Sequence, residues 1–156
     1  MLKGREVTWF PSYGAEVRGG TANCTVILSD ELIGSPVVTH PDILIAMNDA
    51  SLEKFLPRLK PKGLFLYDSS MIKDKPLRDD IDIAGIPATE ISSKTCSTKS
   101  SNMVLLGAFV AKTGLLNETD VLEALQSSFP EKKAKLIENN RKAVYEGIQF
   151  IENQKG

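Results

Sequence analysis

Ser12, Tyr13, Gly14, Glu16, Arg18, Gly19 and Gly20 fall within one nine-residue run, read SYGAEVRGG. It places a guanidinium, a carboxylate and a phenol on a backbone with glycine at its third, eighth and ninth positions. Arg18 is the sharpest candidate. A guanidinium offers a planar fork to a phosphate or carboxylate, and neighbouring glycine N–H groups can add donors to the same anion. Glycine also lets the chain turn where a side chain would clash. A plainer reading stands beside this one: the glycines serve only the turn, and Arg18 pairs with Glu16 or with an acidic partner surface.

Other residues with chemical potential are few. Asn48 is a further candidate for ligand binding, although it precedes an amphipathic run and equally suits a helix cap. Asp68, Ser69 and Ser70 follow an apolar run, but no histidine accompanies either serine as a base. His40 is the only histidine, and Cys24 and Cys96 lie seventy-two positions apart. Two such cysteines cannot supply four thiolates for an iron–sulfur cluster or a structural zinc. The patterns H-E-x-x-H, G-x-x-x-x-G-K-[ST], G-x-S-x-G and G-x-G-x-x-G do not occur. A binding and assembly domain is therefore expected, with no catalytic residues and no metal ligands of its own.

The elements that must position these groups follow from periodicity. Val7 to Phe10 and Ala22 to Leu28 read as strands flanking SYGAEVRGG. In the second, Ala22, Cys24, Val26 and Leu28 share one face, which predicts at least one buried face and a buried Cys24. Glu31-Leu32-Ile33, bracketed by turn residues, suits a short returning edge. Asp42 to Met47 and Leu64 to Tyr67 are continuous apolar runs, as in strands covered on both faces. Between them Leu52, Phe55, Leu56 and Leu59 form one helical face that Pro57 must end or kink. This is a strand–helix–strand crossover of the parallel kind. Residues 71 to 80 read as a charged loop and Ile81 to Ile86 as a short strand, with a short helical stretch beginning at Pro87-Ala88-Thr89. Helices are then predicted over Met103 to Thr113, Asn117 to Ser128 and Glu131 to Gln154, with Glu131–Lys135 and Glu138–Lys142 as i,i+4 ion pairs. The expected class is α/β: a mostly parallel, doubly wound, three-layer sheet with a helix-rich C-terminal half, in a single domain over residues 1–156. In such sheets ligands bind beyond the carboxyl ends of strands, where 12–20, 48–51 and 68–70 are the candidate loops.

Composition narrows the partners. The chain has 156 residues, 19 basic and 20 acidic, for a net charge of -1. That balance gives no electrostatic footprint for nucleic acid. The longest apolar stretch outside the strands, Met103 to Ala111, has nine residues, against the roughly 20 a membrane helix needs. A soluble, cytoplasmic protein is expected, with neither nucleic acid nor membrane as partner.

The run SYGAEVRGGTANCTVILSD resembles the gamma subunit, or gamma domain, of the 2-oxoacid:ferredoxin oxidoreductases. The later segments PDILIAMND, LPRLKPKGLFLYDSS, IPATEI and NMVLLGAF resemble that family in the same order, so the likeness extends from about Gly4 to at least Phe109. The resemblance implies a role in a complex that converts a 2-oxoacid (pyruvate, ketoisovalerate or 2-oxoglutarate) and coenzyme A to acyl-CoA and carbon dioxide, with two electrons passed to ferredoxin. It also implies that thiamine diphosphate is held by alpha and beta partners and iron–sulfur clusters by beta and ferredoxin-like delta partners. The gamma domain would pack near where coenzyme A enters, with SYGAEVRGG at that shared face. Family members usually begin with a strand, a glycine-rich loop and a helix. Here Met1-Leu2-Lys3-Gly4 reads as the end of that helix, so the first strand and helix are expected to be missing relative to the family. The alternative is a stand-alone nucleotide-binding or protein-interaction module on the same fold.

Overall fold

The computed structural model describes residues 4–12, 21–74, 77–95, 97–129 and 133–154. Its sheet is built from three strands in sequential order: β3 (Ile43–Ala46), β4 (Leu64–Asp68) and β5 (Asp82–Ile86), all parallel. β4 is central, and its Leu-Phe-Leu-Tyr sequence is apolar without alternation because both of its faces are covered. Phe65 and Leu66, on opposite faces, are fully buried.

On one face, Ala46, Phe65, Leu59 and Ile72 form a cluster with Leu52 and Leu56. Those leucines come from α1 (Asp49–Phe55) and the 3-10 turn Leu56–Arg58, where Pro57 ends the α-helix as the sequence predicts. On the other face, Leu66 and Ile86 pack with Ala88 of α2 (Ala88–Thr95), Val104, Leu105 and Ala108 of α3 (Ser101–Thr113), and Ala143 and Ile151 of α5 (Ala134–Asn153). A third cluster joins α4 (Glu118–Ser128) to α3 and α5 through Val110, Val121, Leu125, Val144 and Ile148. Helices on both faces of a parallel sheet make the expected three layers. Gly114, at φ 64, closes α3, and the Asn117 side chain caps α4. The Glu138–Lys142 pair is present at 3.6 Å; Glu131 lies outside the described residues.

Three expectations are corrected. The first two strands, β1 (Glu6–Ser12) and β2 (Asn23–Ser29), do not join the parallel sheet; they pair antiparallel as a separate ribbon. In β2 the face carrying Cys24, Val26 and Leu28 is exposed, while Asn23, Thr25, Ile27 and Ser29 are half-buried. Alternation identified the strand but not which face turned inward. Residues 31–33 form no strand. Leu32 is 90% exposed, the Ser29 hydroxyl accepts from the Glu31 N–H at 3.0 Å, and among the described residues no strand pairs with the segment.

Arg78 acts in a loop that reads only as charged. Its Nη1 donates to the carbonyls of Leu56 and Leu59, both at 2.9 Å, and its Nε and Nη2 bind both oxygens of Asp80. The hydrogen bonds from Arg78 hold the Asp80 carboxyl below its usual range, and Asp80 in turn raises the guanidinium. A depressed carboxyl keeps its pairing above the ordinary carboxylate range and loses it only as pH falls through the lowered value.

α3 and α5 approach each other closely along their backbones. A Cβ on Gly107 would lie 2.0 Å from the Val144 carbonyl oxygen, and one on Gly147 would lie 2.0 Å from the Val104 oxygen. Both obstacles are main chain, so the helices would have to separate. Gly107→Ala is expected to destabilise the protein by roughly 2–3 kcal/mol in denaturant unfolding, despite alanine's better helix propensity. Gly34→Ala, with open space around the added methyl, should stay within about 0.5 kcal/mol.

Candidate functional site

The carboxyl ends of β3, β4 and β5 meet at one end of the sheet, since Ala46 pairs with Tyr67 and Asp68 with Ile86. Two of the candidate loops lie there. After β3, Asn48 takes an extended conformation, and its side-chain oxygen accepts from the Ser51 N–H at 2.8 Å. Asn48 is thus the N-cap of α1, which uses its carbonyl oxygen within the chain.

After β4, Asp68 is fully buried. Its Oδ1 accepts from the Ser70 N–H at 3.0 Å, and its Oδ2 from the Thr89 N–H at 3.1 Å and the Thr89 hydroxyl at 2.6 Å. The Ser70 hydroxyl accepts from the Glu90 N–H at 3.2 Å. A helix N-terminus is an anion site because its first amides point outward without intrahelical partners. At α2 that place is taken by the chain's own carboxylate, so Thr89 and Glu90 are not offered to a ligand through these amides. Asp68 is a bracket between β4 and α2, enclosed away from any substrate. The sequence shows it as the end of an apolar run; its pairing with Thr89, twenty-one residues on, has no local signal.

The third loop is carried by the β1–β2 ribbon. Ser12, the last residue of β1, is exposed and pairs with Asn23. Tyr13, Gly14, Glu16, Arg18, Gly19 and Gly20 lie outside the described residues. At the far end of the loop, Thr21 receives two hydrogen bonds: the Asn23 amide donates to its carbonyl at 3.1 Å, and Lys54 Nζ of α1 donates to its hydroxyl at 2.9 Å. The ribbon end is thereby tied to α1, with an ammonium beside the loop's exit. The structure does not bring Asn48 and Ser12 into a common contact.

Among the described residues no group of three or more His, Cys, Asp or Glu could hold a metal ion, and at α2 the Thr89 amide is taken by Asp68 and the Glu90 amide by Ser70. Cys24 is a single exposed thiol. Two open depressions, of about 290 and 330 Å³, are lined by Lys112 and Gln154 near β5 and by Gln126 and Arg141 near α4. Neither includes any of the candidate binding residues Ser12 or Asn48.

Residues 1–150 match the family model described as pyruvate ferredoxin/flavodoxin oxidoreductase. The chain belongs to that family. It is 37% identical over 157 residues to the ketoisovalerate oxidoreductase subunit VorA of Methanothermobacter thermautotrophicus, covering 99% of this chain and 32% of that subunit. It is 34% identical over 146 residues to the 2-oxoglutarate synthase subunit KorC of Methanothermobacter marburgensis, covering 87% of this chain and 78% of that one. The chain therefore spans about a third of the VorA subunit but most of KorC. The crystal structure of the keto/oxoacid ferredoxin oxidoreductase gamma subunit from Geobacter sulfurreducens PCA superimposes with a TM-score of 0.80 at 28% identity, over 97% of this chain and 83% of that one. A chain of the 2-oxoglutarate:ferredoxin oxidoreductase from Magnetococcus marinus shares the fold, with a TM-score of 0.81 at 24% identity, over 96% of this chain and 26% of that one. The family's fold accounts for the parallel sheet with its helical half.

Asp68 supplies the test of this geometry. Asp68→Ala leaves the Thr89 and Ser70 donors facing a buried void and should cost roughly 2–4 kcal/mol in denaturant unfolding. Asp68→Asn, which turns an amide donor toward at least one existing donor, should also destabilise. A wild-type midpoint for both variants would show that Asp68 is not the bracket described.

Proposed function

We propose that this chain is the gamma component of a 2-oxoacid:ferredoxin oxidoreductase. The observation that carries the reading is the family match over residues 1–150, joined to a loop of residue types suited to an anion and no local base or metal set among the described residues. The relatives' names, ketoisovalerate oxidoreductase and 2-oxoglutarate synthase subunits, support a branched-chain or dicarboxylic 2-oxoacid as the class of substrate. The complex would oxidise the 2-oxoacid with coenzyme A to acyl-CoA and carbon dioxide and pass two electrons to ferredoxin. We assign the complex to the cytoplasm, a compartment that holds both coenzyme A and ferredoxin.

Within that complex the alpha and beta partners would hold thiamine diphosphate, and the beta and delta partners the iron–sulfur clusters; the thiamine supplies the decarboxylation chemistry. This chain's own task is to bind and orient. Arg18 would clamp a phosphate of coenzyme A bidentately, with the Gly19 and Gly20 N–H groups as further donors and Lys54 adding positive charge at the loop's exit. Ser12, Tyr13, Gly14 and Glu16 would shape the same face, and Asn48 would hold α1, to which the loop's base is tied.

The test is made in the reconstituted complex. Arg18→Ala should raise the apparent KM for coenzyme A roughly tenfold or more, the scale of one charge-assisted hydrogen bond, and leave coenzyme A-independent decarboxylation unchanged. An unaltered KM for coenzyme A would remove Arg18 from the phosphate site.

A further inference from the structure

The strands of the parallel sheet run outward in chain order, from β3 through β4 to β5. In a doubly wound sheet the order reverses beside the first strand. Strands that precede β3 in the chain therefore belong on its far side, and β5 is the outer edge. Hydrogen bonding fixes which groups that edge presents. The Asp82 N–H donates to the Gly63 carbonyl and the Ser69 N–H to the Ile86 carbonyl, both at 2.9 Å, and Ala84 pairs with Leu66 between them. Asp82, Ala84 and Ile86 thus direct their main-chain groups to β4, whereas Ile83 and Gly85 direct theirs outward. Among the described residues no strand receives them, although both residues are half-buried. Residues 83–86 carry no charge and no proline, which commonly guard an exposed edge.

We infer that β5 pairs antiparallel with β5 of a second copy of this chain, across a two-fold axis at Ala84. The edge is self-complementary, as an isologous interface requires. With Ala84 opposite Ala84, Ile83 of each copy faces Gly85 of the other. Each such pair exchanges hydrogen bonds from N–H to carbonyl in both directions, so every outward group of both residues is satisfied. An unrelated strand could meet the backbone groups, but the side chains favour this one. Tyr67 lies across Gly85, where a Cβ would come within 2.8 Å of its Cζ and hydroxyl oxygen, and Ile83 belongs to the same face. In the paired sheet the Ile83 side chain stands opposite a residue that has none, beside the tyrosine ring of the other copy. Aromatic and β-branched neighbours across a ladder are a favourable pair. On the other face the facing residues are alanines, small enough for the close spacing of a non-hydrogen-bonded pair. An open depression of about 290 Å³, bounded by Lys112, Ile151 and Gln154, leaves room beside Ala84 on that side. Lys112 binds Asp82 at 2.9 Å, so the carboxylate at the start of the strand is already paired where the second copy arrives. The inference goes beyond the functional reading and does not depend on it.

The test is amide exchange in the isotope-labelled full chain, followed by NMR over a dilution series, with the mass measured by sedimentation. A dimer is expected at high concentration, with the Ile83 and Gly85 amides exchanging roughly tenfold or more slowly than in the dilute monomer. Ala84 and Ile86, bonded to β4, should be protected at both concentrations. Ile83→Pro removes a donor that points outward, a position where an edge strand tolerates proline. It should weaken the dimer roughly tenfold or more. A monomer at every concentration overturns the inference, as does a dimer in which Ile83 and Gly85 exchange as fast as in the monomer. A dimer that Ile83→Pro leaves unweakened also overturns it. Protection of these two amides in the monomer, or only after other subunits are added, gives the edge to another occupant and overturns it too. The wild-type chain decides the matter even if the proline variant misfolds.

Discussion

The reciprocal contact of Gly107 and Gly147 is the constraint on which the helical half depends. Each glycine admits a backbone carbonyl of the opposing helix to the place a methyl would fill, Val144 against one and Val104 against the other. That approach lets α3 reach two neighbouring cores at once. Val104, Leu105 and Ala108 close over Leu66 and Ile86, while Val110 meets Val144 and Ile148. Separating the helices by a methyl's width would loosen both clusters, because close-packed interiors do not absorb such a gap. The sheet is held from this side by α3 and α5 and from the other by the shorter α1. Its carboxyl end is joined to α2 through Asp68.

Much of this was legible because it is local. The crossover from β3 through α1 to β4, the end of the α-helix at Pro57 and the closing Gly114 follow from periodicity and backbone chemistry. What was not legible depends on partners distant in sequence. Arg78 reads as one charge in a charged loop, yet it gathers carbonyls of Leu56 and Leu59, about twenty residues away. Cys24 was misplaced because alternation gives two faces without saying which meets a core. Glu31 to Ile33 had turn residues on both sides and no strand to pair with. Of the candidate site, Asn48 is placed as a cap and Ser12 as a strand end, whereas the Arg18 loop was legible only as a motif.

The division between core and site has a physical sense. The body is saturated: Asp68 fills its own helix N-terminus, Asn48 caps α1, and the buried polar pair Ser100–Asn140 is hydrogen-bonded at 3.2 Å. The ribbon differs: Trp9, Phe10 and Val26 are exposed on it, and the SYGAEVRGG run joins its strands. In the function proposed, the body is the mount and that run is the part that meets coenzyme A at a face shared with a neighbour.

The central claim, that this chain serves as a component of a 2-oxoacid:ferredoxin oxidoreductase, is tested most directly by omission and add-back. The partner subunits are prepared without this chain, and 2-oxoacid-dependent, coenzyme A-dependent reduction of ferredoxin is measured before and after the purified chain is added. The account predicts little ferredoxin reduction before addition and recovery of acyl-CoA formation that saturates at a fixed ratio of this chain to its partners. Full coenzyme A-dependent activity in its absence, unchanged by its addition, would contradict it.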